Sequence, residues 1–212
     1  MLIKAIIFDM DGTLLDSEAI SSASTDYAFR TVLGRGLTPE ENAKLIGRPV
    51  SKVLSEWYPD TGNKIYELSK SFFHERVRLI SSYPGVKNLI SDLVKNYRLA
   101  VVTSSKRKDA DILLKNTALD GYMDFFIGQE DTEFQKPDPE PIKLALHKLG
   151  VHSREAVFVG DQPYDIIAAH QAEVIAIGTT WGSGDRETLE MYHPDYIVNK
   201  PEELKDLLGL LS

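Results

Sequence analysis

Lys4-Ala5-Ile6-Ile7-Phe8-Asp9-Met10-Asp11-Gly12-Thr13 stands near the start of this 212-residue sequence, and its change of character decides the reading of the rest. Lys4 to Phe8 is a short apolar run suited to a strand buried on both faces. It stops at two carboxylates and a glycine. The same kind of run recurs at Leu99 to Val102, Phe125 to Ile127, Ala156 to Val159, Val174 to Ile177 and Tyr196 to Val198. Segments of helical period lie between these runs: Val86, Leu89, Ile90, Leu93, Val94 and Tyr97 share one face, and Ile142, Ala145, Leu146 and Leu149 share another, with Gly150 as a stop signal. From about residue 83 onward the alternation predicts βαβ units and a mostly parallel sheet.

The interval from Ser17 to Ser82 breaks this alternation. It reads as helical, with Ile65, Leu68, Phe72 and Leu79 on one face and Asp16 or Ser17 as a cap for its first helix. The expected fold class is therefore α/β: a Rossmann-like parallel-sheet core over residues 1–16 and 83–212, with an all-helical cap inserted at 17–82. The two crossings, near Leu15–Ser17 and Ser82–Pro84, would permit hinge closure.

Composition narrows the partners. Lys and Arg number 24 against 32 Asp and Glu, a net charge of −8, which disfavours phosphate backbones and excludes nucleic acid as the main ligand. There is no Cys, hence no disulfide, thiolate nucleophile or cysteine-ligated metal. No charge-free apolar run reaches the roughly 18 residues of a membrane helix. Leu2 to Phe8 is apolar but brief and runs into Asp9 and Asp11, unlike a signal peptide. The expectation is a cytoplasmic protein, a monomer or weak homodimer, acting away from membranes.

In parallel sheets ligands bind beyond the carboxyl ends of the strands. Asp9, Asp11, Gly12 and Thr13 follow the first run, Thr103, Ser104 and Ser105 the second, Lys136 comes after the third, and Gly160, Asp161 and Asp165 follow the fourth. Two like charges 4 Å apart repel by about 4 kcal/mol at an effective dielectric near 20, so converging aspartates need a cation. Lys136 supplies one charge. Oxygen ligands without His or Cys point to Mg²⁺ for the remainder. Hydroxyls and amides after the second strand suit phosphate oxygens, and Gly12 lets main chain approach a ligand. This combination indicates phosphoryl transfer.

Asp9-Met10-Asp11-Gly12-Thr13-Leu14-Leu15-Asp16-Ser17, with Thr103, Lys136-Pro137 and Gly160-Asp161-Gln162-Pro163-Tyr164-Asp165, resembles the four motifs of the haloacid dehalogenase superfamily, in order. The resemblance implies Asp9 as a nucleophile forming an aspartyl-phosphate and Asp11 as general acid/base. It implies Thr103 holding a phosphoryl oxygen and Lys136 bridging the nucleophile and the phosphoryl group. Asp9, the Asp11 main-chain carbonyl and Asp161 would hold Mg²⁺, with Asp165 in support. A carboxylate at Asp11 is a proton donor that a dehalogenase does not need, so the resemblance implies a phosphatase of a small phosphorylated metabolite.

Among subfamilies the phosphoglycolate phosphatases look most similar. A mutase resembling β-phosphoglucomutase, a pyrophosphatase and a non-catalytic phosphometabolite-binding regulator are the alternatives. Around the motifs, Thr103, Ser104 and Ser105 also suit capping of the next helix, and Asp165 suits a cap for a helix beginning near Ile166. Arg48 and Lys52 are candidate cations from the cap. Phe72, Phe73 and Trp57 read as cap core, and His74 and His147 as structural. Trp181-Gly182-Ser183-Gly184 reads equally as a border of the site and as a surface loop.

Overall fold

The structure, a computed structural model, describes residues 2–211. Six strands, β1 (Ala5–Phe8), β2 (Arg98–Val102), β3 (Phe125–Ile127), β4 (Ala156–Gly160), β5 (Ile175–Thr179) and β6 (Tyr196–Val198), form one sheet. Their order is β3-β2-β1-β4-β5-β6, and every pairing is parallel. This Rossmann-like α/β sheet matches the expected class, and each strand falls on a predicted run.

Strand periodicity explains the two layers around the sheet. Ile6 and Phe8 of β1, Leu99 and Val101 of β2, and Val157 and Val159 of β4 face one cluster. There α5 (Val86–Leu93), α6 (Arg107–Asn116) and α10 (Pro201–Leu211) pack. Ala5 and Ile7, Ala100 and Val102, and Ala156 and Phe158 face the opposite cluster, under α7 (Glu140–Leu149), α8 (Pro163–Gln171) and the short α9 (Arg186–Glu190). Phe8 is level with Val101 on one side and Val159 on the other. The segments leaving β1, β2 and β4 therefore emerge at one edge.

Residues 17–82 hold α1 (Glu18–Leu33), α2 (Pro39–Leu45), α3 (Val50–Trp57) and α4 (Gly62–Arg76), followed by a 3-10 turn at Val77–Leu79. Ala28, Phe29, Leu45, Val53, Leu54 and Ile65 form their own apolar cluster, with Leu68 and Trp57 packed against it. The two crossings run side by side: Asp16 donates its N–H to Ser81 O at 2.9 Å, and Tyr83 donates to Leu14 O at 3.1 Å. Among the described residues no helix is long and apolar enough to cross a membrane.

Local expectations fail at element ends. Leu79 does not share the face of Ile65, because α4 stops at Arg76 and Leu79 is 74% exposed. Val94 lies just past the end of α5 and is exposed. Both misses come from extending a helical period through the point where the helix stops. Gly150 does end α7, in the left-handed conformation.

Candidate active site

Asp9 leaves the carboxyl end of β1, with its N–H held by Val159 O at 2.8 Å, and is 5% exposed. Lys136, equally buried, donates from Nζ to Asp9 Oδ1 and to Asp165 Oδ1, each at 2.6 Å. Asp165 turns its other oxygen to the Gln162 N–H at 3.0 Å, closing a capping box on the first turn of α8. It thus caps α8, which begins at Pro163 rather than near Ile166, while one of its oxygens also lies beside those of Asp9 and Asp161.

Asp161, at the start of the loop after β4, is fully buried and receives three neutral donors. Thr13 Oγ1 reaches Oδ1 at 2.7 Å, while Gln162 Nε2 at 2.6 Å and Ser183 Oγ at 2.7 Å share Oδ2. Oxygens of Asp9, Asp161 and Asp165 lie within 4.8 Å of one another. Burial pushes the Asp9 carboxyl well above its ordinary range against the pull of Lys136. Burial, with the charge of Asp165, pushes Asp161 up to about 7. Burial works against the charge on Lys136, but the carboxylates of Asp165 and Asp9 outweigh it and hold the ammonium above its usual range.

Three buried carboxylates thus face one ammonium. All-oxygen donors, a deficit of positive charge and hydroxyl or amide partners that can yield an oxygen fit a hard divalent cation.

The carboxylate of Asp11 is held differently. The Ser17 hydroxyl donates to Oδ1, the Ser105 hydroxyl to Oδ2 at 2.8 Å, and Thr103 Oγ1 approaches Oδ2 at 3.5 Å. Ser17 begins the helical segment, yet its side chain caps nothing in α1 and turns to Asp11 instead. That corrects the expected helix-capping role.

The residues after β2 also depart from expectation. Thr103 spends its N–H on Ile127 O and accepts the Ser105 N–H on its hydroxyl. The next helix begins only at Arg107, so Thr103 and Ser104 do not lie at a helix start.

Asp9, Asp11, Ser17, Thr103, Ser104 and Arg48 border one cavity of about 110 Å³ between the sheet edge and the helical segment. Ser104 lends its hydroxyl to Gly47 O at 3.0 Å, tying the two walls together. Arg48 reaches the cavity while its guanidinium stands 3.9 Å from Glu56. Lys52 lies outside this wall and bonds Gln135. Phe73 is not part of the helical segment's own cluster: it is half-buried, packs against the sheet's apolar cluster and lines the cavity, whereas Phe72 stacks on Tyr27 at 4.9 Å. His74 joins α4 to Asp109 of α6 at 2.7 Å.

Gly12 has φ +82°, and a Cβ there would lie 2.3 Å from Ser183 Oγ and 2.5 Å from Asp161 Oδ2. It is packed against the carboxylate cluster by necessity of size and conformation. The sequence reading names Thr13, Ser17, Ser105, Gln162 and Ser183 without the carboxylates they hold, because nothing in a local segment says which distant carboxylate a hydroxyl or amide will meet.

A parallel sheet with a lysine-bridged acidic edge beneath a helical wall gathers the carboxylates, ammonium and hydroxyls that phosphoryl hydrolysis requires. The profile of the family described as haloacid dehalogenase-like hydrolase matches residues 6–179. Pyrophosphatase PpaX of Bacillus velezensis is 30% identical over 98% of this chain and 97% of its own length. Pyrophosphatase PpaX of Anoxybacillus flavithermus is 31% identical over the whole of both chains. The crystal structure of a predicted phosphoglycolate phosphatase from Haemophilus somnus superposes with a TM-score of 0.88 at 25% identity, covering 97% of each chain. The chain belongs to the haloacid dehalogenase-like hydrolase family, and it is an enzyme of the phosphoric ester hydrolase class.

Proposed function

We propose that the protein is a Mg²⁺-dependent phosphatase that hydrolyses a small phosphorylated metabolite through an aspartyl-phosphate on Asp9. The observation that carries this reading is the placement of Lys136 between Asp9 and Asp165 at 2.6 Å from each, with Asp9 and Asp11 on the wall of one cavity.

An Asp9 oxygen attacks phosphorus, and the bond from phosphorus to the leaving oxygen breaks. Asp11, entering as the acid, gives its proton to that oxygen. Asp11, now a carboxylate, takes a proton from water, whose oxygen attacks the acyl phosphate and releases inorganic phosphate and free Asp9. Ser17 and Ser105 hold Asp11 in place through both steps, and Thr103 holds a phosphoryl oxygen with Ser104 and Gly12 beside it. Lys136 offsets the charge of Asp9 and of the incoming phosphoryl group. Asp9, the Asp11 main-chain carbonyl and Asp161 would hold the ion, with Asp165 supporting; when bound, it supplies positive charge that offsets the carboxylates and draws phosphoryl oxygens. Residues 17–82 act as a cap, hinged at the paired crossings, with Arg48 over the substrate.

A second reading, inorganic pyrophosphate as substrate, is favoured by the names of the two relatives. The site then acts identically, with phosphate as the leaving group. The protein would work in the cytoplasm as a monomer or weak homodimer.

Purified protein incubated with pyrophosphate, phosphoglycolate or glucose 1-phosphate, with and without Mg²⁺, tests both readings. Phosphate release from at least one substrate, abolished by chelation, is expected. Isomerised sugar without free phosphate would indicate a mutase, and no release from any substrate would overturn the phosphatase reading.

A further inference from the structure

Residues 181–184 follow β5, far in sequence from the carboxylates, yet they are built into the acidic edge. Trp181 donates its indole N–H to Thr13 O at 2.8 Å. Thr13 in turn donates its hydroxyl to Asp161. A Cβ on Gly182 would lie 1.9 Å from Gly12 O, so only a glycine lets this loop lie flat on the first motif. Ser183 donates to Asp161 Oδ2 at 2.7 Å, and Gly182 lies against the Tyr83 ring, 2.9 Å from where its Cβ would stand. The loop therefore touches the first motif, the fourth motif and Tyr83 in the second crossing.

A serine hydroxyl has one hydrogen. With Asp161 as acceptor, that hydrogen restricts rotation of a carboxylate whose other oxygen is fixed by Thr13. Outer partners of this kind set ligand orientation and typically change metal affinity 10–100-fold when removed.

We propose that Ser183 is a positioning residue for the metal site, holding Asp161 in its ligating orientation. The inference rests on the reading of Asp161 as a metal ligand. It assigns to the Trp181–Gly184 loop a task in assembling that site.

The test is calorimetric titration of the intact protein with Mg²⁺ alone, alongside Trp181 emission in a Trp57→Phe background. Ser183→Ala is expected to weaken Mg²⁺ binding about tenfold, with a melting temperature in the absence of metal unchanged. Ser183→Thr, which keeps the donor, is expected to stay within about threefold of wild type. Mg²⁺ is expected to shift Trp181 emission in the Trp57→Phe background, and Ser183→Ala to displace that shift to higher metal concentration. Equal Mg²⁺ affinity in wild type and Ser183→Ala would overturn the assignment while leaving the metal reading intact. Equal weakening in the Ala and Thr variants would also overturn it, since the hydroxyl would then not be the cause. Failure of the wild type to bind Mg²⁺ would remove both readings.

Discussion

Lys136 and Asp9, 127 positions apart in sequence, meet as a buried ion pair at 2.6 Å, and the same ammonium holds Asp165 at equal distance. Paired charges in such a site cost desolvation that only their mutual attraction and hydrogen bonds offset. Removing one partner therefore costs more than the pair contributes.

Lys136→Met keeps much of the side-chain volume but leaves Asp9 and Asp165 facing each other uncompensated. Loss of a buried partner is worth about 3–5 kcal/mol. Chemical denaturation at neutral pH should show a drop of that order, together with loss of phosphate release. A variant as stable as wild type would show that the pair is not what holds this edge.

Asp9→Asn leaves Lys136 paired with Asp165, so the fold should persist with a near-native melting curve. Turnover of p-nitrophenyl phosphate should fall below a few per cent, because a neutral amide is not a nucleophile toward phosphorus. Substantial residual turnover would remove Asp9 from that role.

Metal binding should also be visible as stability. A ligand held only by the folded state adds about 2.7 kcal/mol at a hundred times its Kd, and a chain of this size gains about 2–4 °C per kcal/mol. Saturating Mg²⁺ should raise the melting temperature, and Asp161→Ala should lose most of that rise. An unchanged metal-dependent shift in the variant would contradict the ligand assignment.

Gly12→Ala places a side chain at φ +82° and 2.3 Å from Ser183 Oγ. The backbone strain alone is about 1–2 kcal/mol. Melting should fall by several degrees, and Mg²⁺ affinity with it, because the displaced atoms belong to Ser183 and Asp161. Wild-type melting would mean that the turn relaxes at no cost.

Acid stability of the helical segment should depend on Glu41, which takes two hydrogen bonds from Arg35, at 2.6 and 2.8 Å, and one from the Thr38 N–H. Arg35 above all lowers its carboxyl to about 2 against partial burial. The folded value lies below the ordinary value of about 4.3. Its contribution is therefore complete above about pH 4.3 and fades as pH falls toward 2. Solvent screening limits it to about 1 kcal/mol or less. The wild type should melt above Glu41→Gln at pH 7, and the gap should close by pH 2. A pH-independent gap would exclude the ion pair as its source.

The strands and the acidic edge were legible because their signals are local. A run such as Ala5–Phe8 must be buried on both faces, and the residue after it must emerge at the ligand-binding edge. Helix ends were less legible: Leu79 and Val94 continue an apolar period past the last hydrogen-bonded turn. Ser17 and Phe73 each have an ordinary local role, as cap or core of the helical segment, that tertiary contacts redirect: Ser17 to Asp11, and Phe73 to the sheet's apolar cluster and the cavity.

Sequence by itself determined the succession of strands and helices along the chain, the kinds of ligand atom available and the four polar segments, two acidic, one basic and one of hydroxyls, that follow the strands. It could do so because burial and strand period are written in neighbouring residues. Tertiary structure alone decided that Ser17 and Ser105 hold Asp11, that Thr13 and Ser183 hold Asp161, and that Lys136 stands between two aspartates. A hydrogen bond depends on register and on the meeting of distant loops within about 3 Å, and no periodicity along the chain encodes that distance.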